Sequence, residues 1–160
     1  MAGQLAGFTD EEWVRRVIAL AQASRDAGNH PFAAIVVDGT GESIAQAFND
    51  FRSDCTGHAE LVAVRQVSSR HAPAVLRDAT LYSSAEPCAM CAGAIYWSGI
   101  GRVVYALSEE RLLSLTGNHP ENPTLSLPCR EVFARGQRGI KVVGPLLEEE
   151  AAQPHEGFWR

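Results

Sequence analysis

Two cysteines three positions apart, Cys88 and Cys91, follow a proline and lead into the apolar run Ala92-Gly93-Ala94-Ile95-Tyr96-Trp97. Proline suits the first position of a helix, where its missing N–H has no intrahelical partner to lose. The stretch therefore predicts a helix opening at Pro87, with both sulfurs on one side of its first turn and their thiolates favoured by the helix N-terminus. Two sulfurs converging on one point form half of a tetrahedral zinc site. His58, at the start of another predicted helix, is the third candidate ligand and leaves the fourth position to water. Three protein ligands and an open position describe a catalytic Zn2+. The fold must then bring two helix starts, thirty residues apart, to one point.

Glu60 extends the metal site to a reaction. A carboxylate two residues after a ligating histidine can stand beside the open position without binding the metal. There it can move protons between water, a ring nitrogen and a departing amine. The pair His58-Ala59-Glu60 and Pro87-Cys88-Ala89-Met90-Cys91 resembles the signature of the cytidine deaminase-like zinc deaminases, in detail their small branch of guanine, cytosine and tRNA-adenosine deaminases. The resemblance runs from about Pro31 to Val143. It implies an α/β fold, a three-layer α/β/α sandwich on a central mixed, mostly parallel five-stranded sheet. The implied activity is hydrolytic removal of an exocyclic amine from a small heterocycle, with release of ammonia. His58, Cys88 and Cys91 hold zinc in this reading, and Glu60 is catalytic.

The resemblance also implies substrate contacts. Phe32 matches an aromatic that packs on the base, although the core is an equally good place for it. Asn49 matches an asparagine that hydrogen-bonds the base; Ser84 and Glu86 flank the approach, where a backbone carbonyl receives the amino group. Ala59 and Trp97 complete the candidate contacts within the domain. Ile95-Tyr96-Trp97 resembles the guanine deaminase form of that helix, so guanine is the first expectation; cytosine, triazines and nucleosides stay open. Residues 153–160 end on Phe158 and Trp159, two aromatics that chain ends seldom spend on solvent. They fold over an active site, its own or a neighbour's, or else dock on the domain surface. Family members are commonly homodimers, and a homodimer is expected here.

Three other readings stand beside this one. Cys55 could join His58, Cys88 and Cys91 in a closed Cys3His site, making a non-catalytic, zinc-stabilised module. Cys88 and Cys91 could be a redox couple. A tRNA-adenosine deaminase shares the motif, but 19 acidic against 14 basic residues, a net charge of −5, oppose a polyanionic partner. Thr116-Gly117-Asn118-His119-Pro120-Glu121-Asn122 also departs from the small-residue stretch of the tRNA enzymes. The expected partner is thus a small heterocyclic amine, not nucleic acid and not a membrane, since no apolar run approaches a membrane span. With no basic-then-apolar leader, and two of four cysteines committed to metal, the expected location is cytoplasmic.

The 160 residues read as one domain. Thr9-Asp10-Glu11-Glu12 is a capping box that opens a helix ending near Gly28, with Trp13 in the core. His30–Val37 reads as a turn leading into a buried strand, Asp38–Gly41 as a turn and Ser43–Phe48 as the returning strand. Asp54 and Thr56 are candidate caps of a helix that buries Leu61, Val62, Val64 and Val67. Residues 71–78 read as a loop, 79–83 and 102–106 as strands, and Gly99 as a helix stop. Ser108 caps a helix through Leu115. The Gly-, Asn- and Pro-rich stretch from Thr116 to Leu127 is long enough for a lid or binding loop. A helix over 128–135 with Cys129 in its core side, a strand over 140–143 and an acidic helix over 145–152 follow. His30 reads as a turn residue and His119 as an exposed loop histidine.

Overall fold

The structure, a computed structural model, describes residues 7–160; the first six, which belong to the stretch scanned for a leader, lie outside the described residues. Helix α1 spans Asp10–Asp26, and Thr9 caps it with the full reciprocal capping box. Strands β1 (Ala33–Val37) and β2 (Ser43–Phe48) form a hairpin whose turn is organised by Asp38, which accepts from Thr40 N–H, Thr40 O–H and Glu42 N–H. Helix α2 (Ala59–Ser68) crosses to strand β3 (Thr80–Ala85), and α4 (Ala89–Ser98) crosses from β3 to β4 (Arg102–Leu107). Helix α5 (Glu109–Thr116), α6 (Cys129–Ala134), β5 (Lys141–Val143), α7 (Glu148–Ala152) and a 3-10 turn over Gln153–His155 complete the order. The loop expected over 71–78 contains a further short helix, α3 (Pro73–Leu76), because Pro73 sits at its favoured opening position.

The sheet has the order β2-β1-β3-β4-β5. β1 runs antiparallel to both its neighbours, while β3, β4 and β5 pair in parallel. Four of the five strands therefore point one way, and the reversed β1, inside the sheet, makes two of the four pairings antiparallel. The hairpin causes this: a tight turn can only join antiparallel strands.

Side chains alternate across the sheet and separate two cores, as strand period demands. Ala34 and Val36 face α2 and α4, with Leu76, Leu81, Ile95, Val103 and Phe133. Ala33, Ile35 and Val37 face α1 and α7, with Trp13, Val14, Val17 and Leu107. Three layers result. Arg102 grips Asp10 through both carboxylate oxygens, and Tyr82 O–H donates to the same group at 2.8 Å. This pins the start of α1 to the sheet. On α2 the buried side is Ala59, Glu60, Ala63, Val64 and Val67, whereas Leu61 and Val62 are only half-buried. The helix is rotated from the expected face because Glu60 points inward. Asp54 and Thr56 close their own turn and do not cap α2; His58 holds that position.

Candidate active site

His58 is the N-cap of α2 and Cys88 the N-cap of α4, so both helix starts deliver a ligand. Pro87 lies two residues before α4, just outside its N-cap, a correction to its expected place as the first helical residue. Extended backbone at Cys88 puts Cys91 at the third helical position, and side chains at these two positions face each other. Cys88 Sγ lies 3.5 Å and Cys91 Sγ 3.6 Å from His58 Nδ1. Among the described residues these three form the one metal-competent group, their donor atoms all within 4.8 Å of one another. One imidazole nitrogen and two thiols, mobilised at positive helix ends, fit zinc by the chemistry of the donor set. Cys55 stands exposed and outside this group, so the closed four-ligand reading loses its third sulfur and with it its fourth ligand.

The trio is already polarised. The neighbouring Cys91 thiol and His58 hold Cys88 down to about 4, against a burial effect in the other direction. Cys91, buried beside that thiolate, is pushed well above the ordinary thiol value. The hydrogen bond with Cys88 raises His58.

Glu60 sits in the first turn of α2, 5% exposed, with Oε2 3.9 Å from Cys91 Sγ. Burial raises its pKa. Its Oε1 lies 2.8 Å from Ser83 Oγ, which also reaches the Ala85 carbonyl. One hydroxyl proton serves one acceptor, so a Ser83 that donates to Ala85 accepts from a protonated Glu60. The carboxyl is thus held in a setting that accommodates both protonation states.

A cavity of about 400 Å³ opens beside the trio. Phe32 and Asn49 line it. Asn49 is buried, and its Oδ1 accepts from Phe51 N–H at 2.9 Å, which leaves the amide N–H groups for a ligand. The loop expected as a lid does supply one wall, through residues 120–125. His30, read as a turn residue, is instead 6% exposed in this wall: its ring stacks on Phe51 at 4.4 Å and its Nε2 meets Glu121 Oε2 at 2.9 Å. His119 packs on Trp159.

Other expected contacts fall elsewhere. Trp97 is 84% exposed and does not line the cavity of its own chain, because it lies on the outward face of α4. Ala59 is fully buried in the α2 core, and Ser84 Oγ accepts from Ala33 N–H inside the sheet; neither lines the cavity, although the adjoining Ala85 and Glu86 do. Phe158 and Trp159 pack behind it, edge-on to His30, with Trp159 also 6.1 Å from Phe32. The tail buttresses the aromatic wall instead of roofing the opening.

Sequence reasoning placed Glu86 beside the approach to the site without finding its partners, and missed Glu109. Glu86 Oε1 accepts from Glu109 N–H at 3.0 Å and Oε2 from Cys129 N–H at 2.9 Å, so one carboxylate ties the end of β3 to the starts of α5 and α6. Glu109, 8% exposed, lines the cavity; burial, then the negative groups Cys88, Glu86 and Glu60, push it up to about 8. The available signal was position, for Glu109 follows the C-terminal end of β4, where α/β sheets bind ligands.

Comparison with known proteins agrees with this geometry. Residues 8–107 match the model of the cytidine and deoxycytidylate deaminase zinc-binding region. A probable cytosine deaminase of Schizosaccharomyces pombe is 43% identical over 94% of this chain and 92% of its own length. A tRNA-specific adenosine deaminase of Bacillus subtilis is 34% identical, over 94% and 89% respectively. Among solved structures, the guanine deaminase of Nitrosomonas europaea superposes with a TM-score of 0.73 at 28% identity, covering 94% of this chain and 84% of that one. With two helix starts converging on an imidazole and two thiols, a buried glutamate beside them and a match over more than half its length, this chain belongs to the cytidine and deoxycytidylate deaminase zinc-binding family of zinc-dependent hydrolytic deaminases.

Proposed function

We propose that the protein deaminates a free nucleobase, guanine first. The observation that carries this reading is the make-up of the cavity wall: Glu60, Glu86, Glu109 and Glu121 line it, and among its described lining residues there is no lysine or arginine. Such a wall repels phosphate and suits a neutral heterocycle rich in N–H donors. The volume is of the size that takes small ligands.

Zinc, held by His58, Cys88 and Cys91, supplies Lewis-acid activation of water at neutral pH. Glu60 would take one proton from the attacking water as its oxygen bonds to the amine-bearing carbon and give it to the adjacent ring nitrogen; it would then take the second proton of that water from the new C–OH and give it to the amine as the C–N bond breaks and ammonia leaves. Asn49, its carbonyl oxygen engaged by Phe51 N–H, offers an N–H to an acceptor on the base. Phe32 and the stacked His30–Phe51 pair flank the ring plane. Residues 120–125 limit water entry, held by the His30–Glu121 contact.

The chain acts in this reading as one domain over residues 1–160, with 153–160 as a tail that stiffens the pocket wall. We further propose a homodimer. Trp97 at 84% exposure and Met90 at 36% share one face of α4, an expensive pair to leave in water. A cytoplasmic location fits four free cysteines. No helix among the described residues is long and apolar enough to cross a membrane. An ammonia-release screen over guanine, cytosine, ammeline, their nucleosides where these exist, and tRNA tests the reading. Turnover of guanine or cytosine is the expected result; activity on tRNA alone would transfer the assignment to the tRNA-adenosine deaminases.

A further inference from the structure

Glu60 and Glu109 reach the cavity from different elements. Glu60 enters from α2 beside Cys91, 3.9 Å from its sulfur. Glu109 enters from the end of β4, with its backbone N–H bonded to Glu86, two residues ahead of Cys88. Glu109 is 8% exposed and lines the cavity, and its side chain makes no hydrogen bond to any described residue, so its carboxyl oxygens are left to whatever fills the cavity. A ligand that displaces the cavity water without offering that carboxyl a donor leaves it unpaired at a cost. Neither role assigned to the neighbouring glutamates accounts for it: Glu60 is the proton carrier, and both oxygens of Glu86 are taken by backbone N–H groups.

We propose that Glu109 is a specificity-determining residue, accepting a hydrogen bond from a ring N–H adjacent to the amine-bearing carbon, so that the site selects a cyclic guanidine such as guanine over cytosine. This rests on the reading of the protein as a nucleobase deaminase. The chemistry of the two bases makes the distinction. In guanine the carbon bearing the amine lies between N3, an acceptor that takes the proton of Glu60, and N1–H, a donor for a second carboxyl. In cytosine the corresponding carbon lies between N3 and a C–H, which gives Glu109 nothing to accept. Cytosine then leaves a buried carboxyl unpaired, the situation that produces strong discrimination in enzyme pockets.

The test compares zinc-loaded wild type and Glu109→Met on guanine, 1-methylguanine and cytosine; methionine keeps the length of the side chain but removes the oxygen acceptor. Wild type is expected to lose at least about tenfold in kcat/KM between guanine and 1-methylguanine, and Glu109→Met about as much on guanine. Combined, the two losses should not multiply, because both remove one interaction. Guanine binding to the zinc-loaded Glu60→Ala protein, with and without Glu109→Met, reads the same contact without turnover and should weaken by a similar factor. Zinc content and thermal midpoint report the folding of Glu109→Met; should it fail to fold, the wild-type ratios of guanine to 1-methylguanine and to cytosine decide alone. Multiplying losses, wild-type rates on cytosine equal to or above those on guanine, or a Glu109→Met enzyme matching wild type would overturn the assignment while leaving the deaminase intact. A wild type inactive on every base, yet active on tRNA, would remove the function and this inference together.

Discussion

Lowering the pH from 7.5 to 5 should loosen the tail through one residue, His155. Its ring is 3% exposed, lies 5.2 Å from Phe32, and accepts from Trp159 Nε1–H at its Nδ1, 3.0 Å away. Acceptance at Nδ1 requires the neutral ring, because an imidazolium has no lone pair. Burial, with Arg25 close by, holds its pKa down to about 4 from 6.5. Arg25 is fixed there by donating to the Pro154 and Glu156 carbonyls. A histidine with a depressed folded value binds fewer protons folded than unfolded, so its contribution is intact above the unfolded value of 6.5 and is lost as pH falls toward 4. At pH 5 the unfolded ring is almost fully protonated and the folded ring is not, which costs about 2 kcal/mol relative to pH 7.5. In a domain of this size that is about 4–8 °C in thermal midpoint. The assay is thermal unfolding of wild type and His155→Phe across this range. Groups common to both proteins cancel in the difference, including the metal ligands, and the excess slope of wild type isolates His155. Tryptophan fluorescence reports the release of Trp159. Parallel pH profiles for the two proteins would show that the ring titrates freely, and the argument from burial would fail.

Three further outcomes are expected. Glu60→Ala should abolish ammonia release while plasma emission still finds one zinc per chain; surviving turnover would refute the proton-carrying role. Cys88→Ser should lose at least about tenfold in zinc affinity, whereas Cys55→Ser, altering an exposed side chain outside the trio, should retain metal and activity; zinc loss in the latter would revive the four-ligand site. Glu86→Ala unties two buried backbone N–H groups from one carboxylate and should cost about 3 kcal/mol in urea unfolding; a change below about 1 kcal/mol would mean that water replaces it.

The legible part of this protein was local. Thr9 and Glu12 wrote the start of α1 in four residues, and Ser108 that of α5, because capping involves groups within one turn. Gly99 ended α4 because its φ of 96° suits a residue without a side chain. His58, Glu60, Cys88 and Cys91 were readable because the chemistry of a metal site demands those side chains at helix starts. What stayed hidden depended on distant partners. His30 looked like a turn residue until the fold laid it on Phe51 and against Glu121, 91 positions away. Trp97 looked like a pocket residue until the rotation of α4, set by packing, left it outside. By itself the amino-acid order determined which groups could hold a metal and move a proton, since that depends on side-chain chemistry and short spacing. Only the tertiary structure decided that the end of β4 aims a second carboxyl, Glu109, into the same cavity, since that depends on which strands lie side by side.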